Sequence, residues 1–257
     1  MIKHRCSGKV AVIFDFDGTL VDSYTHRGSA HLVVRDLLLD YVAQKGYESR
    51  RAKMLRLISG VEEEMTLKRE YNRTVWFLEV LRRYTGEKGK FSSKVPAKAT
   101  LAYWNSIVVN SFLYPRVEEI LSSLKKNGLL VGLLSDTDGL KGMKTKRITR
   151  SGLGKFFDAV VIAGEDTREV KPQKQPFSKI SKLLGVSTKD CVYVGDDPNV
   201  DVAGAKELAM KTVIIRNPRA SFHRILTLPD YILKRERFGE IEGLIGQFIR
   251  KGTTKAA

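Results

Sequence analysis

Five short runs rich in valine and isoleucine constrain this chain more than any other feature. They lie at residues 9–14 (Lys-Val-Ala-Val-Ile-Phe), 129–134 (Leu-Leu-Val-Gly-Leu-Leu), 159–163 (Ala-Val-Val-Ile-Ala), 191–194 (Cys-Val-Tyr-Val) and 212–215 (Thr-Val-Ile-Ile). Continuous apolar runs of this length suit strands buried on both faces. Helical patterns separate them. Val117, Ile120, Leu121 and Leu124 share one face of 117–126, with Gly128 placed to end it. Phe177, Ile180, Leu183 and Leu184 repeat the pattern before Gly185, and residues 202–210 form a third such stretch. Strands alternating with helices imply βαβ units and a mainly parallel α/β sheet with helices on both faces. Ligands of such sheets bind beyond the carboxyl ends of the strands.

The alternation stops between residues 24 and 111, where only helical patterns occur. Val33, Val34, Leu37, Leu38 and Tyr41 recur at helical spacing. One long helix is expected over 62–84, with Met65, Val75, Leu78 and Leu81 along one side, and another over 96–112. A two-glycine loop is expected at 86–94, and Pro115 marks the return to the sheet. The expectation is a helical domain, 24–111, inserted into a sheet domain made of 1–23 and 112–257. The last residues, 252–257, are expected to fray.

Polar motifs sit at or just after the strand ends. Asp15-Phe16-Asp17-Gly18-Thr19 follows the first run, Ser135-Asp136 the second, and Gly195-Asp196-Asp197-Pro198-Asn199-Val200-Asp201 the fourth; Lys171-Pro172 follows the third by several residues. If the chain stays extended through Phe16, Asp15 and Asp17 lie on one face. Carboxylates held that close raise each other's pKa unless a cation intervenes. Mg²⁺ suits this, because it takes hard oxygen ligands, and Asp196 is placed to complete its site. Gly18 permits a tight turn. Ser135 can donate to a phosphoryl oxygen, Lys171 supplies positive charge, and Asp201 can anchor the lysine or a metal-bound water. Together these groups equip a chain to move a phosphoryl group through an aspartyl phosphate. Singly, each motif also reads as an ordinary turn or helix cap.

Composition narrows the setting. No run of 18 apolar residues occurs, so no membrane span is expected. Residues 1–7 are polar and basic, without a signal peptide's apolar stretch. Two cysteines, Cys6 and Cys191, without metal-ligand spacing, fit a reduced cytoplasmic setting. The net charge of +16 leaves three readings open: a heavily charged surface, steering of anionic substrates, or attraction to nucleic acid. The basic run of Lys141, Lys144, Lys146, Arg147 and Arg150 reads by default as a solvated helix face, with an anion funnel as the alternative. Arg69 and Arg73 are expected on one solvated helical face. Tyr103 and Trp104 are expected in a core.

With these motifs the chain resembles the haloacid dehalogenase superfamily, across residues 9–23 and 112–235. The resemblance implies a Rossmann-like core with a helical C1 cap, similar to phosphoglycolate phosphatase-like members. It implies that Asp15 is the nucleophile and Asp17 the general acid and then base. Mg²⁺ would be held by Asp15, the main-chain carbonyl of Asp17, and Asp196. Ser135 and Lys171 would bind the phosphoryl group, with Asp201 and Asp197 in support. Dehalogenases of this superfamily carry Tyr where Asp17 stands, so the resemblance implies phosphatase or phosphomutase chemistry. Its phosphomutases tend to carry Glu at the position of Gly195. Many relatives carry Gly at the position of Arg116. The expected substrate is a small phosphorylated metabolite, with His26, Arg27 and Asp136 as candidate contacts. An intramolecular phosphomutase and a nucleic-acid-end phosphatase or nucleic-acid-binding protein stand as alternatives.

Overall fold

The computed structural model describes residues 9–86, 91–216 and 226–253. Residues 1–7 with Cys6, the 87–90 portion of the expected loop and the end of the expected frayed tail, 254–257, lie outside them.

Six strands form one parallel sheet: β1 (Ala11–Phe14), β4 (Leu130–Asp136), β5 (Ala159–Ala163), β6 (Cys191–Gly195), β7 (Lys211–Arg216) and β8 (Tyr231–Lys234). A separate antiparallel pair, β2 (Val21–Asp22) and β3 (Phe112–Leu113), joins the chain where it leaves the sheet unit and where it returns. The sheet order is β5-β4-β1-β6-β7-β8. The chain therefore builds outward from β1 to β5, then crosses to build outward on the other side. β1 lies between β4 and β6, with Phe14 opposite both Leu133 and Val194. This register brings Asp15, Ser135 and Asp196 to one edge of the sheet.

Both faces of the sheet are covered, as the continuous apolar runs imply. Val12, Phe14, Val131, Leu133, Val192 and Val194 share a core with α5 (Val117–Lys126) and α9 (Ile241–Thr253). Their strand neighbours Ala11, Ile13, Leu134, Cys191 and Tyr193 face the other way, against α7 (Lys174–Leu184). Full burial of one such leucine or phenylalanine stabilises the fold by about 1.5–3 kcal/mol. The expected helix over 202–210 is shorter, α8 (Ala203–Glu207), and a π-turn at Pro198–Val202 precedes it. β8 was not foreseen. It is a short edge strand in which only Leu233 is buried, so it carries no alternation to read. Arg116 takes a left-handed φ of 66°, the conformation glycine adopts freely, which is consistent with the glycine that the family resemblance leads one to expect there.

The chain divides into two compact units, and the second comprises Ser23–Ser111 and Thr137–Arg147. Its helices are α1 (Arg27–Gln44), α2 (Arg51–Leu67), α3 (Arg73–Thr85) and α4 (Lys94–Asn110). Their core holds Val34, Leu38, Ile58, Phe77, Leu81, Tyr103, Trp104 and Ile107. Thr137–Arg147, which the sequence reading left with the sheet, joins this unit because Leu140 and Met143 pack into that core. Gly139 makes the approach possible: a Cβ there would sit 1.9 Å from the carbonyl oxygen of Tyr71. α6 (Met143–Arg150) begins in this segment.

The single helix expected over 62–84 is two. Arg69 takes a φ of 57°, and Asn72 caps α3 by accepting the Thr74 N–H at 3.0 Å. The Trp76 indole N–H donates to the Glu70 carbonyl at 3.0 Å, closing the turn. Asn72 ahead of an apolar stretch was the readable signal for a new helix.

Candidate active site

β1 ends at Phe14, but the Asp15 N–H still donates to the Val194 carbonyl at 2.9 Å, so the sheet holds the first carboxylate. The chain then bends. Leu20 and Val21 both return their N–H groups to the Phe16 carbonyl at 3.0 Å, and Gly18 takes a φ of 75°. The extended path assumed for Asp15-Phe16-Asp17 is therefore not followed. Phe16 is buried, and Asp17 stands on the turn, bridged to Val21. That φ favours glycine at position 18, because it strains most side chains.

Lys171 is the hub of the site. It is almost wholly buried, and its Nζ donates to Asp15 Oδ1 at 2.8 Å, to Asp201 Oδ1 at 2.7 Å and to the Tyr193 hydroxyl at 3.2 Å. The Tyr193 hydroxyl in turn donates to the Leu134 carbonyl at 3.2 Å. A buried ammonium with three acceptors has its full complement of partners. Its position is set from the main chain too: the Lys171 N–H donates to Asp136 Oδ1 at 3.0 Å. Asp136, expected as a substrate contact, thus braces the lysine segment.

Asp201 ties the fourth motif together. One of its oxygens takes Lys171; the other accepts the N–H groups of Asp196 and Asp197, each at 3.0 Å. Gly195 leaves room for this, since a Cβ there would lie 2.2 Å from Asp201 Oδ2. Asp197 accepts the Asn199 N–H at 2.9 Å and caps the turn that follows. Ser135 is buried at the penultimate position of β4.

Electrostatically the site is crowded with negative charge. Asp15, Asp196 and Asp201 each offer an oxygen within 4.8 Å of the others. Burial, with Asp201 and Asp17 nearby, pushes Asp15 up to about 7 despite Lys171. Burial and the neighbouring carboxylates Asp15, Asp201 and Asp197 push Asp196 well above its ordinary range. Lys171 is also raised, well above its ordinary value: burial opposes its charge, but Asp15 and Asp201 hold it protonated. Hard oxygen donors without enough positive charge fit a divalent cation such as Mg²⁺. Asp201 is a poor ligand because its oxygens already accept N–H groups; Asp15 and Asp196 remain. Asp17 is not among the three convergent carboxylates.

The other expected residues, Arg150 apart, fall in the helical unit. His26 is exposed just ahead of α1. Arg27 opens α1, with its guanidinium 4.7 Å from the Tyr24 ring and 3.7 Å from Glu62. Arg69 and Arg73 do not share a helical face; Arg69 is in the turn between α2 and α3, and Arg73 stacks 3.4 Å over the Trp76 ring. The basic run is only partly a solvated face. Lys141, Lys146 and Arg150 are exposed, but Lys144 and Arg147 are buried on Asp138, at 2.8 and 3.0 Å. Tyr103 and Trp104 are core residues.

Sequence reasoning missed Tyr193, Asp138 and Glu62. Tyr193 had a readable signal, a polar group inside a strand buried on both faces. Glu62 had none, because its partners Arg27 and His31 come from another helix; the partners of Asp138, Lys144 and Arg147, lie close in sequence, but nothing local marks that they would be buried with it.

A family model described as haloacid dehalogenase-like hydrolase matches residues 10–208. The chain is 35% identical over 127 residues to a glyceraldehyde 3-phosphate phosphatase of Methanocaldococcus jannaschii, covering 49% of this chain and 54% of that protein. It is 27% identical over 202 residues to a glyceraldehyde 3-phosphate phosphatase of Pyrococcus furiosus, covering 79% and 78%. The chain spans about half the length of the first of these relatives. A crystal structure of a HAD phosphatase from Thermococcus onnurineus shares the fold, with a TM-score of 0.63 and 22% identity over 91% of this chain and 98% of that one.

Proposed function

The chain belongs to the haloacid dehalogenase-like hydrolases, and from that premise we propose that it is a Mg²⁺-dependent phosphatase that hydrolyses a small phosphomonoester through an aspartyl phosphate. The observation that carries this reading is the buried Asp15–Lys171–Asp201 chain at the carboxyl edge of the sheet. It holds one carboxylate oxygen of Asp15 in place and keeps a cation beside it.

Asp15 attacks phosphorus in line, forming an acyl phosphate as the ester P–O bond breaks. Asp17 gives its proton to the departing alkoxide. In the second half Asp17 takes a proton from water, whose oxygen attacks phosphorus and returns Asp15 as a free carboxylate. Lys171 offsets negative charge on the transferring group, and the Ser135 hydroxyl donates to one of its oxygens. Asp15, Asp196 and the main chain of Asp17 would hold Mg²⁺, which supplies charge neutralisation at the phosphoryl oxygens.

Sugar phosphates and related small metabolites are the substrate class, supported by the glyceraldehyde 3-phosphate phosphatases among the relatives. The phosphomutase reading is weaker. A glutamate in place of Gly195 would collide with the Asp201 carboxylate, so this arrangement excludes the residue that phosphomutases tend to carry there. The nucleic-acid reading rests on charge alone. We further propose that the helical unit corresponds to the C1 cap that the family resemblance implies.

The test is phosphate release from a panel that includes glyceraldehyde 3-phosphate, phosphoglycolate, hexose phosphates and nucleoside monophosphates, with Mg²⁺ and with EDTA. Mg²⁺-dependent release from at least one member is expected. No release from any, or equal release in EDTA, overturns the proposal.

A further inference from the structure

The turn that carries Asp17 is held from the far end of the sheet. Arg235 follows β8 and opens a 3-10 turn, Arg235–Glu240. Its Nη1 donates to the Thr19 carbonyl at 2.8 Å, and its Nη2 donates to the Gly18 carbonyl. One guanidinium therefore grips two successive carbonyls of the 16–21 turn, a forked contact that a single ammonium cannot reproduce. The planar group lies 3.8 Å from the centre of the Tyr114 ring and 5.6 Å from that of Phe238. Its direction is thus fixed by stacking as well as by hydrogen bonds.

The segment bearing Arg235 is itself anchored. Gly239 lies against the Arg116 guanidinium so closely that a Cβ would sit 1.9 Å from Arg116 Nη1. Phe238 and Leu233 are buried in the core beneath. The turn is therefore tied to a packed part of the sheet unit.

We propose that Arg235 is a positioning residue for the Asp17 turn: by fixing the carbonyls of Gly18 and Thr19 it sets the directions of the Gly18–Thr19 and Thr19–Leu20 peptides, which begin one residue beyond Asp17, and so constrains the course of the turn that places that side chain. This rests on the reading of Asp17 as the acid and base. Nothing in the sequence marks the residue, since 216 positions separate it from Thr19. A catalytic group displaced by about 1 Å can cost on the order of 100-fold in rate. Arg235 acts through that displacement, without touching the substrate.

The experiment pairs steady-state hydrolysis of p-nitrophenyl phosphate with hydrogen–deuterium exchange of residues 16–21, in wild type, Arg235→Ala, Arg235→Lys, Asp17→Asn and the Arg235→Ala/Asp17→Asn double variant. Arg235→Ala is expected to lower kcat about 10- to 100-fold, to leave KM within about threefold, and to speed exchange in the turn. In the Asp17→Asn background the same change is expected to cost little more, because the group being positioned is already gone. Added guanidinium ion at non-denaturing concentration should restore part of the kcat of Arg235→Ala. Full additivity in the double variant, or unchanged kcat and exchange in Arg235→Ala, overturns the proposal. Should Arg235→Ala fail to fold, Arg235→Lys carries the test: an intermediate fall in kcat upholds it and wild-type kcat overturns it. A wild type that hydrolyses no phosphomonoester defeats the functional reading instead. The exchange arm then decides Arg235 alone, with faster exchange upholding the brace and unchanged exchange rejecting it.

Discussion

Two buried carboxylates in this molecule face opposite electrostatics. Asp15, in the sheet unit, has one ammonium partner and three other aspartates around it, and is pushed up to about 7 chiefly by burial. Glu62, in the helical unit, is also buried, and burial alone would raise it. It instead accepts from His31 at 2.7 Å, with Arg27 and Arg73 nearby, and is held down at about 2. The Tyr103 hydroxyl donates to it at 3.4 Å. One carboxylate is short of positive charge and the other has enough. A group left short is poised to take up a cation or a phosphoryl group; a group that is satisfied holds a fold together.

Substitutions at the two sites should therefore act in opposite ways. The largest effect is expected from Asp15→Asn, which removes the proposed nucleophile and should lower Mg²⁺-dependent turnover by at least about 10⁴-fold. The same change relieves crowding among Asp15, Asp196 and Asp201 while leaving Lys171 paired with Asp201, so the melting temperature of the metal-free protein should rise. A stable variant with wild-type turnover would remove Asp15 from the mechanism. Asp17→Asn should slow turnover by about 10²- to 10⁴-fold. Rapid-quench detection of an accumulating phosphoenzyme would place the loss in the second half-reaction.

Glu62→Gln should destabilise the helical unit by about 1–3 kcal/mol in urea denaturation, because it weakens the buried acceptor that His31 and Tyr103 meet and removes the charge facing Arg27. Activity per folded molecule should change far less. The pH dependence sharpens the contrast. Between 4.5, the ordinary value, and about 2, folded Glu62 binds fewer protons than unfolded Glu62. Its contribution is complete above about pH 4.5 and is lost as pH falls toward 2. The stability gap between wild type and Glu62→Gln should narrow across that window. A gap that stays constant from pH 7 to 3 would show that Glu62 is not held ionised by its neighbours.

The smallest effect is expected at an exposed pair. Lys155 lies 3.2 Å from Glu118, with both side chains more than half exposed. Lys155→Ala should shift stability by less than about 0.5 kcal/mol. A larger loss there would mean that surface ion pairs of this basic chain matter more than their geometry indicates.

Most of the sheet unit was legible from local pattern. The apolar runs of β1, β4, β5, β6 and β7 announce strands buried on both faces, and the acids follow their ends in chain order. The helical unit was less legible. Its elements were recognised as helices, but the break at Lys68–Asn72 was hidden by a hydrophobic period that continues across it, although Asn72 marked the new start. The basic run after β4 looked like a solvated face because Asp138, three positions upstream of Lys141, gave no sign that it would be buried beneath Lys144 and Arg147.

The amino-acid order by itself determined the class of fold, the strand ends and the kinds of polar group delivered to them, because these depend on periodicity and on residues adjacent in the chain. Only the tertiary structure decided which groups meet: Lys171 with Asp15, 156 positions away, Tyr193 with Lys171, Arg235 with Gly18 and Thr19, and Glu62 with His31. The physical reason is that charge balance inside a protein is a sum over neighbours in space. A lone aspartate in the sequence carries no record of how many cations will surround it.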